Sequence, residues 1–243
     1  MRPGVTGLLV RTDLRLIGRD RFLLGVAAFI LAVALVVRLL LPGVTRTLAG
    51  AGFDLVPYYP LIASYVALFV GSQLAGVVYG FTLLESREDG TIRAVLASPL
   101  PLSTFLIFRT AAPVALGCVV IPAIAAIVGV ALPPAAVLAP VALVAAMSGA
   151  IWALFVAALA ENKVQAFAIL KIAGAAGPLV LGAWFLRDPW QWLVGVIPAY
   201  WPLKAWWMAL EGGAWWWPVT VGAALSSLAI AILVARFARV AAR

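Results

Sequence analysis

Long apolar stretches alternate with short charged ones along this chain, and the stretch lengths predict helices that cross a membrane. Phe22 to Leu41 is apolar apart from Arg38 and has the twenty residues a helix needs to span hydrocarbon. Pro42 and Gly43 are expected to end that helix, with a short loop to Leu55. A second run covers residues 57–84, long enough to cross with tilt. In it Ser72, Gly76 and Gly80 recur every four residues, a small-residue face that lets another helix approach closely, and Gln73 is the most polar group well inside a span. Further spans are expected at 104–132, 136–160, 166–186 and 219–236. The 51 residues from Thr110 to Ala160 hold no charge, too many for one helix, and Pro133-Pro134 marks the turn that makes them two. Gly174, Gly177 and Pro178 predict a kink or a close helix contact in the fifth span.

Two polar regions interrupt the pattern. Residues 5–21 read as an amphipathic helix, with Arg11, Arg15 and Arg19 on one face, suited to the headgroup layer. Residues 85–103 hold the one concentrated charge cluster of the interior: Glu85, Arg87, Glu88, Asp89 and Arg93. Residues 187–218 form a third connecting segment, apolar but rich in tryptophan. Nine of the ten tryptophans lie between Trp184 and Trp217, and an interfacial belt is the default expectation for them.

Composition supports lipid as the solvent. Hydrophobic residues make up 65% of the 243 and charged residues 11%, whereas a soluble domain carries about 25% charged. The net charge of +8 does not point to nucleic acid, because the basic residues sit at the ends of apolar runs and form no continuous patch. They set topology instead. With the N-terminus inside, thirteen Lys and Arg fall on the inner side and four (Arg38, Arg46, Arg187, Lys204) on the outer. That bias puts both termini in the cytoplasm of a multi-pass inner-membrane protein. The fold class expected is therefore an all-α integral membrane domain of six spans, 1–243.

Chemistry is hard to find. There is no histidine, hence neither the commonest general base nor the commonest zinc ligand, and no metal site is expected. Cys118 is a lone thiol in an apolar run, read as a small hydrophobe. No Gly-x-x-x-x-Gly-Lys-Ser/Thr loop and no Gly-x-Ser-x-Gly elbow occurs. None of the nine acids lies near a span centre, so ion-coupled transport is poorly supported. Asp89-Gly90 and Arg93 bear a faint likeness to aspartate-rich lipid transferases, but no further acid follows until Glu161.

The order of these features resembles the membrane subunit of ABC-2 type transporters. The similarity lies in the basic amphipathic helix before the first span and in the stretch Leu83 to Ser103, with its acidic residue, Gly90-Thr91 pair and Leu96-x-x-Pro99 ending. Asn162 to Lys171 and Pro198-Ala-Tyr-Trp-Pro202 with Lys204 and Trp206 complete it. The Asn-Lys-Val and Pro-x-Tyr-Trp-Pro pieces look most like bacterial drug-export permeases of the fluoroquinolone-export kind. The resemblance implies a permease without an ATPase site of its own, with ATP and magnesium on a separate cytoplasmic ATPase subunit. It also implies a second permease copy or paralogue, and an amphipathic drug- or lipid-like cargo passing along the interface lined by spans one, two and five. Glu85, Arg87, Glu88, Asp89, Gly90, Thr91 and Arg93 would then form the coupling contacts. Two other classes remain: an intramembrane lipid-modifying enzyme, active without any ATPase and dependent on Asp89 or Glu161, and a non-transporting assembly subunit that binds partners without responding to ATP.

Overall fold

The computed structural model describes residues 21–88, 102–187 and 189–241. The amphipathic segment with Arg11, Arg15 and Arg19, and the positions Asp89, Gly90, Thr91 and Arg93, lie outside them. Among the described residues every regular element is helical, and six helices are long and apolar enough to cross a membrane.

The first span, α1 (Arg21–Gly50), runs through Pro42 instead of stopping there. Thirty residues at 1.5 Å each reach about 45 Å, the full bilayer with its headgroups. Proline removes one donor to the Arg38 carbonyl, and the helix is exposed at this position. Past it, the Thr45 hydroxyl bonds the Leu41 carbonyl at 2.8 Å and the Tyr59 hydroxyl at 2.8 Å. These contacts hold the extension against the start of the second span, so the expected loop is shorter than the sequence implies.

The second span is a composite. A 3-10 turn (Val56–Tyr58) leads into α2 (Tyr59–Ser64), then a π-helical stretch (Tyr65–Val70), then α3 (Gly71–Glu88). The third span is α4 (Leu102–Val128) and the fourth α5 (Ala135–Leu159). The fifth is broken as expected: α6 (Lys163–Gly174) ends and α7 (Ala176–Gly182) begins, with a 3-10 turn (Ala183–Phe185) after it. Pro178 falls in the first turn of α7, where a missing N–H costs little. A Cβ on Gly177 would meet the Tyr65 hydroxyl at 2.5 Å and Phe69 Cε1 at 2.9 Å, so the break coincides with the π-helical stretch beside it.

Segment 187–218 is more ordered than a connecting loop. It contains α8 (Gln191–Val194) and α9 (Tyr200–Leu210), and the last span, α10, starts early (Trp216–Ala241). The second and fourth spans form the core, each with 72% of its apolar window buried, against 17% for the first and the last. α5 packs on α3, α4, α10 and α9, which makes it the centre of the bundle.

Candidate functional site

Three places gather polar chemistry, and they follow one another from the Glu85 end of the bundle to the tryptophan-rich end. At the first, Lys163 Nζ donates to Glu85 Oε1 at 2.7 Å. Glu85 is in the last turn of α3 and Lys163 is the first residue of α6. The local sequence explains why Lys163 is placed so firmly. Asn162 caps α6: its carbonyl accepts from the Ala166 N–H at 3.0 Å and its Oδ1 from the Gln165 N–H at 3.0 Å. Gln165 returns the favour by accepting the Glu161 N–H at 2.9 Å, a variant of the reciprocal cap that satisfies otherwise orphaned donors. Beneath the ion pair Phe81, Leu84, Val156, Ala160 and Ala166 form a small apolar cluster that joins α3, α5 and α6. Phe81 and Phe167 add a tilted ring contact at 5.1 Å.

Arg109 enters the same end from α4. It is 6% exposed, and its Nη2 donates to Ser86 Oγ at 3.2 Å while Ser86 donates to the Thr82 carbonyl at 2.8 Å. Of the residues singled out for coupling, the structure places Glu85 in an ion pair. Arg87 and Glu88 continue the same helix to its end. Arg109 and Lys163, for which the sequence assigned no contact, prove to be side chains that hold this end together.

The second place is the bundle interior. Ser72, Gly76 and Gly80 face α5 as the packing reading predicts. A Cβ on Gly76 would lie 2.6 Å from the Trp152 Cβ and 3.1 Å from the Gly149 carbonyl, and one on Gly149 would lie 2.8 Å from the Ser72 carbonyl. Backbone therefore meets backbone here, which only small residues permit. Ser72 Oγ bonds the Phe69 carbonyl of its own helix at 2.9 Å. Gln73 Nε2, Trp152 Nε1, Ser148 Oγ and Ser226 Oγ are buried without a hydrogen-bond partner among the described residues. Buried polar atoms are nearly always satisfied, so these four make the interior less inert than its apolar composition suggests.

The third place is the tryptophan-rich end. Trp201, Trp206 and Trp207 are buried, Trp190, Trp192 and Trp216 exposed. The three buried indoles belong to the core and not to a belt, and α9 is a packed plug. Its indoles are pinned by specific acceptors: Trp207 Nε1 to Ser64 Oγ at 2.7 Å, Trp206 Nε1 to the Ala131 carbonyl at 3.0 Å, Trp201 Nε1 to the Gly195 carbonyl at 2.8 Å. Arg38 donates Nη1 to the Ile127 carbonyl at 2.9 Å and so caps the end of α4. Beside α9 a cleft of about 310 Å³ is lined by Trp184, Gln191, Lys204, Trp207 and Glu211, among others. Lys204 Nζ and the Tyr200 hydroxyl both donate to Gln191 Oε1, at 2.9 and 3.1 Å.

Six membrane-length helices, two of them forming the core, define a multi-pass membrane protein. A family model described as Fluoroquinolones export permease protein Rv2686c-like matches residues 13–235. Two relatives, the fluoroquinolones export permease proteins MT2760 and Rv2686c of two Mycobacterium tuberculosis strains, are each 36% identical over 243 residues, which covers 97% of this chain and 94% of theirs. No solved structure matches this chain. The chain belongs to the Rv2686c-like fluoroquinolones export permease family, in agreement with the resemblance read from Asn162-Lys163-Val164 and Pro198 to Pro202.

Proposed function

We propose that this chain is the membrane subunit of an ATP-binding cassette exporter of the ABC-2 type, driven by a separate cytoplasmic ATPase. Residues 85–103 are the handle that the ATPase grips, and the basic bias of the ends sets that handle, with both termini, in the cytoplasm. The observation that carries this reading is the Glu85–Lys163 pair. It makes the handle mechanically continuous with two spans at once, because force on the end of α3 is passed to the start of α6. Coupling requires in addition that this contact differ between the two states of the transport cycle.

The cargo is amphipathic and drug-like, and fluoroquinolones, named for the relatives, are the first class to test. A second permease copy or paralogue seats against the first and fifth spans; the low burial of both, 17% and 25% of their apolar windows, leaves those faces free for it, as the equally low 17% does for the last span.

Co-purification tests the reading. The tagged chain, co-expressed with a candidate ABC ATPase subunit from the same organism, is expected to bring down that ATPase and support ATP-driven efflux from membrane vesicles. Charge reversal at Glu88 and Asp89 is expected to abolish both. Retention of ATPase binding and transport in that variant would remove residues 85–103 from the coupling role.

A further inference from the structure

The cleft beside α9 has the chemistry of a binding site for one kind of molecule, and we propose that it recognises a flat aromatic acid carrying a basic amine at its far end. Two charges of opposite sign line it, Lys204 and Glu211, and neither is in an ion pair among the described residues. They are seven positions apart, Lys204 within α9 and Glu211 capping its end. That spacing is two helical turns, about 10 Å along the axis. A ligand that carries its own acid and base at opposite ends can answer both charges.

Between the charges the walls are aromatic. Trp184 and Trp207 meet edge to face, with centroids 4.9 Å apart and planes at 87°. Trp207 is buried and held by Ser64, so it is a rigid backstop, while the half-buried Trp184 leaves part of its ring toward the cleft. A planar ring system stacks on such a wall with little loss of freedom.

Lys204 is also positioned in advance. Gln191 is 7% exposed, and its Oε1 takes the Tyr200 hydroxyl and one Lys204 proton together. A neutral amide oxygen orients the ammonium without cancelling its charge, and two of its three donors are left for a carboxylate. The volume of about 310 Å³ is at the small end of ligand pockets, sized for one compact drug-like molecule. In the export reading, on which its role rests, this cleft is on the outer side and is where cargo is held before release.

Isothermal titration of the purified full chain, with three probes, tests the assignment. The probes are ciprofloxacin (acid and amine), its N-acetylated form (acid only) and its ethyl ester (amine only). Ciprofloxacin is expected to bind about tenfold more tightly than either derivative, the weight of one charge-assisted hydrogen bond. Lys204→Gln is expected to weaken ciprofloxacin and the N-acetylated acid about tenfold and leave the ester unchanged. Glu211→Gln is expected to weaken ciprofloxacin and the ester and leave the acid unchanged. Equal losses for all three probes, or no loss in either variant, overturn the proposal. Unfolding curves superimposable on the parent protein establish that each variant is folded. ATP-driven efflux that persists while this binding pattern fails places the cargo elsewhere and leaves the export reading standing. The binding pattern without ATP-driven efflux keeps the cleft and removes the export reading.

Discussion

Lys163 Nζ and Glu85 Oε1 meet at 2.7 Å, joining the end of the second span to the start of the fifth across 78 positions of sequence. Both side chains are partly open to solvent, at 54% and 37% exposure, and exposed pairs of this kind add only about 0.2–1 kcal/mol to stability. The pair's value is therefore better sought in mechanics than in folding. Glu85→Lys and Lys163→Glu are each expected to shift the unfolding midpoint little while lowering ATP-driven efflux by at least about fivefold, the lower end of typical coupling energies. The double swap restores the attraction with its sign inverted, and efflux should recover. Vesicle efflux and thermal unfolding measured on the three variants check this; no recovery in the double swap would separate the contact from coupling.

The close approach of α3 and α5 predicts a graded response to added methyl groups. Gly76→Ala and Gly149→Ala put a Cβ at 2.6 Å and 2.8 Å from existing atoms. Each is expected to destabilise the protein by about 1–3 kcal/mol, the usual cost of overpacking. Gly43→Ala, in the exposed part of α1 with nothing within 4 Å, should be neutral or slightly stabilising because alanine is the better helix former. Unfolding in a mild detergent, monitored by circular dichroism, distinguishes the two outcomes.

Trp207→Phe keeps a ring in the core but removes the indole N–H that reaches Ser64 Oγ at 2.7 Å. Loss of a buried hydrogen bond whose partner stays behind costs about 1–3 kcal/mol. Ser64→Ala in the same background should add little further loss. Simple additivity in this double-mutant cycle would mean the bond contributes nothing of its own.

Arg38→Met removes the guanidinium that caps α4 through the Ile127 carbonyl. The bond is exposed, so a stability loss of about 0.5–1.5 kcal/mol is expected. The more telling effect should be local: faster proteolysis between residues 129 and 134, where Gly129 and Ala131 both hold positive φ and the Arg38 guanidinium sits against Gly129. Arg38→Lys is expected to retain part of the protection. Equal cleavage rates in all three proteins would contradict the capping role.

The six spans were legible because their signal is local: run length, absence of charge, and breakers between runs. The small-residue face at Ser72, Gly76 and Gly80 was legible for the same reason, since period four on a helix needs no knowledge of the partner. Less was legible where the decisive contact is distant. Trp206 and Trp207 look like interfacial tryptophans in sequence, and only their acceptors, 75 and 143 positions away, make them core residues. Pro42 read as a stop because the threonine and tyrosine bonds that carry α1 past it involve another helix. Lys163 registered as part of a family-like motif and Arg109 as a positive charge, neither with an assigned partner. Their partners Glu85 and Ser86 are brought to them by the fold, not by the chain around them.

The π-helical stretch Tyr65–Val70 fixes how the second span divides its loyalties. One surplus residue in a helix rotates everything beyond it by about 100°. The half that bonds Thr45 through Tyr59 and Trp207 through Ser64 is thereby set at an angle to the half whose glycines abut α5. Neither half can be aligned on its neighbours by a straight rod of the same sequence. Removing one residue between positions 65 and 70 would sacrifice one set of partners to preserve the other, so this span tolerates changes of side chain far better than changes of length.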